Sequence, residues 1–289
     1  MGEMRKSKWV GGLAHWTDED TAYISVAFSW MLPKARQLAM DYSKNYWVRA
    51  GGPAVWVRPK YLADVAQIGG EVDALLHHNS SATIASRGCP VGCYFCVVPT
   101  MEGRDFELLW DFIPRPILCD SNLSGLPIHF QEFVISRYKF EDVPLLDANS
   151  GFEPRSFDGD TYIRWKKINR GPWRFAFDEI GEEFEAKRTA SILKNEHSSK
   201  KRVYVLIGNE PIESCYERIM KVIEWKCEPH VQPMMALNAL EKKPMIKYNW
   251  TEQMLKDMAR WANRWLWRKL DIRDYKPRKN EEPIFAGVL

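Results

Sequence analysis

The run SRGCPVGCYFC, from Ser86 to Cys96, sets three thiols at Cys89, Cys93 and Cys96, with three residues inside the first interval and two inside the second. Pro90 and Gly92 are turn residues, so the backbone can bend tightly enough for the three sulfurs to converge. Three thiolates on one loop can hold three corners of a four-iron cluster and leave the fourth iron open, whereas a ferredoxin-type site closes that corner with another cysteine. Cys119, Cys215 and Cys227 are scattered and lie outside such spacing. The alternative is a zinc loop, which calls for a further Cys or His nearby; His77 and His78 are upstream but too distant to belong to the motif. Clustering of this kind favours a metal site over a disulfide framework.

Outward from the loop, short apolar runs alternate with helical periodicity. Ala82 to Ser86 is expected to be a strand leading into the cysteines. ILCD (117–120), PLLDAN (144–149), RFAFD (174–178), RVYVLIG (202–208) and VQPMMAL (231–237) supply five more. Helical stretches are expected at Glu107 to Phe112, Pro127 to Lys139, Thr161 to Ile168, Glu182 to Glu196 and Glu213 to Cys227. Strands and helices in that alternation predict an α/β fold, a parallel sheet wrapped by helices into a partial (β/α)6 TIM-like barrel.

Ahead of this core, AYISVAF (22–28) predicts a strand, Leu32 to Tyr42 a helix, and Tyr46 to Ala54 a further apolar segment broken by Gly51-Gly52-Pro53. The glycine pair would let backbone approach a ligand or a packed helix closely. Behind it, a helix from Thr251 to Lys269, N-capped by Thr251, carries Met254, Met258, Trp261 and Trp265 as an apolar stripe, before a polar tail expected to pack poorly. Three regions result: a small N-terminal α/β unit over 1–78, a core barrel over 79–240, and a C-terminal helix with its tail over 241–289. Arg260, Arg264, Arg268 and Lys269 interleave with tryptophans as nucleic-acid interfaces do, although helix packing explains the same pattern.

The 289 residues carry a formal charge of +3, too small for a chain-wide attraction to nucleic acid. No run approaches the roughly 18 apolar residues that span a bilayer, and the basic start of the chain is not followed by an apolar signal core. A soluble, cytoplasmic protein with no membrane partner is expected.

The cysteine spacing, with Phe95 just before the third thiol, resembles the signature of the radical S-adenosylmethionine (radical SAM) superfamily. The resemblance extends over about residues 82 to 240. It implies that Cys89, Cys93 and Cys96 bind a 4Fe-4S cluster and that the cluster loop follows the first barrel strand, as here. Asp120 and Asn122, in the polar end of the second strand, would then meet the amino group of SAM. LLDANSGFEPR (145–155) resembles a D-x-N-x-G-x-x-x-R run of some members, which would turn Asn149 and Arg155 towards the pocket, with Arg155 on the methionine carboxylate; a surface salt bridge explains Arg155 equally well. Asp178, ending the fourth strand, would meet a ribose hydroxyl or simply turn the chain. Gly208 and Glu210 resemble the glycine-containing strand packed on adenine, with the acidic residue off the usual spacing, and Met234 to Leu237 either bond adenine or pack in the core.

AYISVAFSWMLPKA and VRAGGPAV resemble the middle of the cobalamin-binding domain found before many such barrels, but the Asp-x-His-x-x-Gly ligating motif is absent, so a truncated form without cobalamin is expected. The activity implied is reductive cleavage of SAM to methionine and a 5′-deoxyadenosyl radical, which abstracts hydrogen from an inert carbon of a small molecule, a peptide or a nucleic acid. A flavodoxin or ferredoxin would supply the electron, and Arg87, Arg104 and Arg115 could attract that acidic donor. Other functions consistent with the residues are an iron-sulfur electron-transfer or redox-sensing protein without SAM chemistry, and a zinc-stabilised nucleic-acid-binding module.

Overall fold

The predicted N-terminal strand is the second arm of a hairpin. Leu13–Asp18 (β1) and Thr21–Val26 (β2) pair antiparallel around Glu19, whose φ of 47° is left-handed. Leu32–Tyr42 (α1) then carries the chain to Trp47–Gly51 (β3), and Pro53–Val57 (α2) leads on to Gln67–Ile68 (β4), giving a four-stranded sheet in which β2, β3 and β4 are parallel neighbours. α1 forms because Leu32, Ala35 and Ala39 recur on one face, and that face is buried with Ile24, Val26, Val48 and Ala50 in one core. The sequence predicts β2, α1 and β3 but neither β1 nor β4, since β1 mixes apolar and solvent-facing residues and β4 is only two residues long. The computed structural model describes residues 7–69, 74–277 and 282–289.

After Leu75–His78 (α3) come Ala82–Thr83 (β5), Ser86–Arg87 (β6), the cysteine loop, Val98–Met101 (α4), Glu107–Leu108 (β7), Ile117–Leu118 (β8), Ile128–Phe140 (α5) and Asp147–Ala148 (β9). β5, β8 and β9 form a parallel sheet. The helix expected at Glu107 to Phe112 is absent: β7 instead pairs antiparallel with β6, because the chain folds back at Gly103, with φ of 86°, and Leu109 N–H bonds the Ala85 carbonyl at 2.8 Å.

Gly159–Lys166 (α6), Trp173–Ala176 (β10), Glu183–Ile192 (α7), Lys201–Ile207 (β11), Ile212–Glu224 (α8), Glu228–Pro233 (β12) and Glu252–Asn263 (α9) follow. β10, β11 and β12 are parallel neighbours, and burial along β11 alternates from Lys201 to Ile207. Two compact units result, one running to Ser121 with Ser136–Asn149 and Ala236–Lys242, the other comprising Asn122–Ile135, Ser150–Met235 and the chain from Lys243 onward.

All six predicted core strands are present, yet they make two three-stranded sheets, and among the described residues no ladder joins these into a barrel. The fold is mixed α/β with small sheets. β5, β8 and β9 have two residues each, too few for the long staggered ladders that barrel closure requires. The sixth strand lies earlier than the expected 231–237: the chain leaves it at Pro233, and Met235 bridges Pro244.

Thr251 caps α9 as predicted, its hydroxyl accepting from Met254 N–H at 3.1 Å. The helix stops at Asn263 rather than Lys269, because Trp265 takes φ of 55° and the Asn263 amide bonds both the N–H and the carbonyl of Val231, at 2.7 and 2.8 Å. Trp265 therefore leaves the apolar stripe and is 43% exposed, while Trp250 and Trp261 are buried, so packing accounts for the latter two. The tail packs better than expected: Tyr275 and Phe285 are buried, and residues 278–281 lie outside the described set. Among the described residues no helix is long and apolar enough to cross a membrane.

Trp165 anchors the second unit. It is fully buried, its indole N–H donates to Gln131 at 3.0 Å, and its ring meets Phe152 edge-on with centroids 5.7 Å apart. Trp165→Ala is expected to cost about 3–5 kcal/mol in urea unfolding of the full chain, through the cavity left and the loss of that donor.

Candidate functional site

The cysteine loop is clamped where it begins. Gly88 has φ of 85°, and a Cβ there would collide with the Asp105 carbonyl oxygen, so only glycine fits. Its N–H donates to Glu102 Oε2 at 2.9 Å, Arg87 lies 3.5 Å from Glu102 Oε1, and Cys89 N–H donates to the Gly103 carbonyl at 3.3 Å. Inside the loop Gly92, at φ of 70°, sits under Arg104, whose guanidinium carbon would be 2.9 Å from a Cβ. Cys96 N–H closes a turn onto the Cys93 carbonyl at 3.0 Å, and Val98 N–H points at Cys96 Sγ at 3.4 Å.

No disulfide joins any of the six cysteines. Burial raises the Cys96 thiol pKa, with Cys89 and Glu102 adding to the rise and the Val98 amide opposing it. A bound metal would release that proton. Among the described residues no three His, Cys, Asp or Glu side chains are gathered around a point as ligands of a single ion. Three thiols on one bend, an amide aimed at one sulfur and no histidine in the loop have the composition of a cluster-binding loop, where each thiolate takes its own iron.

Asp120 lies two residues beyond β8 and is buried. Its Oδ2 accepts from Ala85 N–H at 2.9 Å and its Oδ1 from the Ser86 hydroxyl at 2.5 Å, so the carboxylate faces the segment that enters the cysteine loop. Burial pushes its pKa up to about 6 against those hydrogen bonds. Asn149, after β9, donates its N–H to the Leu118 carbonyl at 2.8 Å, and its side chain bonds Cys119, whose thiol is pushed up to about 12 by burial. Phe95 meets Tyr94 edge-on at 5.1 Å.

The cysteine loop, Asp120 and Asn149 belong to the first unit; Asn122, Arg155 and Asp178 belong to the second. Asn122 is buried and holds a local turn, accepting from Gly125 N–H at 2.8 Å. Arg155 pairs with Glu153 at 3.2 Å and Glu182 at 2.6 Å. Asp178 accepts from Leu206 N–H at 2.9 Å, and burial raises its pKa to about 7, with Glu182 and Glu153 contributing. Glu210 is committed to the fully buried Arg218 at 2.9 Å, and Gly208 lies under Leu255. Sequence reasoning missed Glu102, Glu153 and Glu182; for Glu102 the signal was MEGRD directly behind the cysteines, an acid ahead of a turn glycine.

No protein-family model matches the chain, and no curated protein matches it by sequence. Its fold does have a counterpart among solved structures, in the radical SAM class. That structure is the radical S-adenosylmethionine methyltransferase TsrM from Kitasatospora setae, with cobalamin and a 4Fe-4S cluster bound. The likeness has a TM-score of 0.55 at 10% identity and covers 74% of this chain and 63% of that one. It is a likeness of fold, and this chain spans about 63% of that structure's length.

The raised Asp120 pKa has a consequence for stability. An acid that titrates near 6 when folded and near 3.8 when unfolded binds more protons in the folded state between those values, so its contribution falls as pH rises through that window. Asp120→Asn removes the titration. Stability of the native protein relative to this variant is expected to drop by on the order of 3 kcal/mol between pH 4 and pH 7.5, measured by urea unfolding; a pH-independent difference would contradict the buried carboxylate.

Proposed function

We propose that this chain is a radical SAM enzyme in which Cys89, Cys93 and Cys96 each hold one iron of a 4Fe-4S cluster and the fourth iron receives S-adenosylmethionine. The observation that carries this reading is the cysteine loop: three thiols in one bend, glycine-permitted at Gly88 and Gly92, with an amide directed at Cys96 Sγ. The likeness in fold to a radical SAM methyltransferase supports it. When bound and reduced, the cluster supplies the electron that cleaves SAM to methionine and a 5′-deoxyadenosyl radical.

The protein's own groups hold the parts in place. Glu102 fixes the start of the loop through Gly88 N–H and Arg87. Within the first unit Asp120 would serve the SAM amino group and Asn149 would face the pocket, with Phe95 beside the cluster; for Asn122, Arg155 and Asp178, in the second unit, the resemblance implies the amino group, the methionine carboxylate and the ribose. Residues 79–240 act as the catalytic core, 1–78 as an accessory unit and 241–289 as a closing segment. An acidic flavodoxin or ferredoxin docks beside Arg87, Arg104 and Arg115, of which the first two are exposed, in a reducing compartment such as the cytoplasm.

Anaerobic reconstitution with iron and sulfide, reduction, and addition of SAM tests this. About four irons per chain and formation of 5′-deoxyadenosine are expected, both lost in Cys89→Ala, Cys93→Ala and Cys96→Ala. A cluster that never cleaves SAM would assign the chain to electron transfer, and zinc without sulfide would overturn the proposal. Glu102→Ala, which leaves Gly88 N–H without its acceptor, is expected to weaken iron retention about 10–100-fold in a chelator competition.

A further inference from the structure

The N-terminal sheet has a face that the proposed chemistry does not use. Register pairs Trp16 with Tyr23 and Tyr23 with Arg49, so these three side chains form a row across β1, β2 and β3 on the face opposite Ile24, Val48 and Ala50. Trp16 and Tyr23 stack with centroids 5.2 Å apart and planes within 10°, and the Arg49 guanidinium carbon stands 6.0 Å from the Tyr23 ring centre. Over this row, by the carboxyl ends of the parallel strands, lies a cavity of about 60 Å³ that Ser25, Gly51 and Gly69 also line. Open α/β sheets bind ligands at that end of their strands. The volume holds several waters or one carboxylate or phosphate group.

The lining points to an anion. Arg49 is the one charged side chain among the described residues that line the cavity. Carboxylate and phosphate are the acceptors a guanidinium fits best. None of the described residues around the cavity is acidic. Ser25 Oγ is 2.9 Å from His78 Nε2, and when that nitrogen carries the imidazole proton the serine hydrogen is left for a ligand.

The two glycines there have different causes. A Cβ on Gly52, at φ of 95°, would sit 2.7 Å from the Val26 carbonyl oxygen, so close packing requires glycine. A Cβ on Gly51 would meet nothing within 4 Å, so packing does not require glycine there, and the space it leaves belongs to the cavity.

We propose that this cavity is a second binding site, taking the carboxylate or phosphate group of a small molecule on Arg49 and Ser25. The test uses the full chain, with or without its cluster, so its outcome does not depend on SAM chemistry. Titration with inorganic phosphate and with acetate, against chloride at matched ionic strength, is followed by tryptophan fluorescence and calorimetry. Saturable binding on the order of millimolar is expected for at least one probe and none for chloride. The preferred probe identifies the group.

Arg49→Gln and Gly51→Val are each expected to weaken binding at least tenfold. Gly51→Val fills the cavity where a Cβ meets no neighbour, so its melting temperature is expected to stay near that of the native protein. A response no different from chloride, or saturation unchanged in Arg49→Gln, would overturn the site.

Discussion

The carboxylate of Asp120 ties the first unit together. β5 and β8 are two residues long, so their ladder supplies few hydrogen bonds. Asp120 extends that connection with its side chain, taking Ala85 N–H and the Ser86 hydroxyl and so fixing the segment from which the cysteine loop departs. The arrangement sets two opposing demands. Burial favours the neutral acid, while two donors favour the carboxylate, and the balance puts its titration close to neutral pH. Loop placement and the protonation of one buried group are thereby coupled.

What could be read from the sequence follows from how local each feature is. α1, α5 and α8 carry periodic apolar positions over eleven residues or more, and the sequence places them within a residue or two of their observed ends, apart from the later end predicted for α8. The succession of strands along the chain is legible from short apolar runs. Barrel closure is not, because it depends on ladder length and stagger, which two-residue strands do not encode. The cysteine spacing is a local signal. The clamp around it is not: Glu102 and Arg104 matter only because Gly103 folds the chain back, and before that turn is known they are two more charged residues.

Asp120 and Asp178 illustrate a different limit. Both are visible as polar ends to apolar runs, and both are buried with raised pKa values. Sequence position marks such a residue but does not say which backbone donor it faces, since Ala85, between β5 and β6, and Leu206, in β11, lie far away in the chain. Arg155 shows the same ambiguity, with Glu153 and Glu182 as its partners in the structure.

The Asn263 amide, bonded to both backbone groups of Val231, mimics one rung of an additional strand. β12 is the outermost member of its sheet, and an uncovered outer strand invites recruitment by a second molecule. With the middle of that border already occupied by a side chain, intermolecular sheet growth is blocked there. One asparagine thus withdraws a donor and an acceptor from the exposed margin of the sheet.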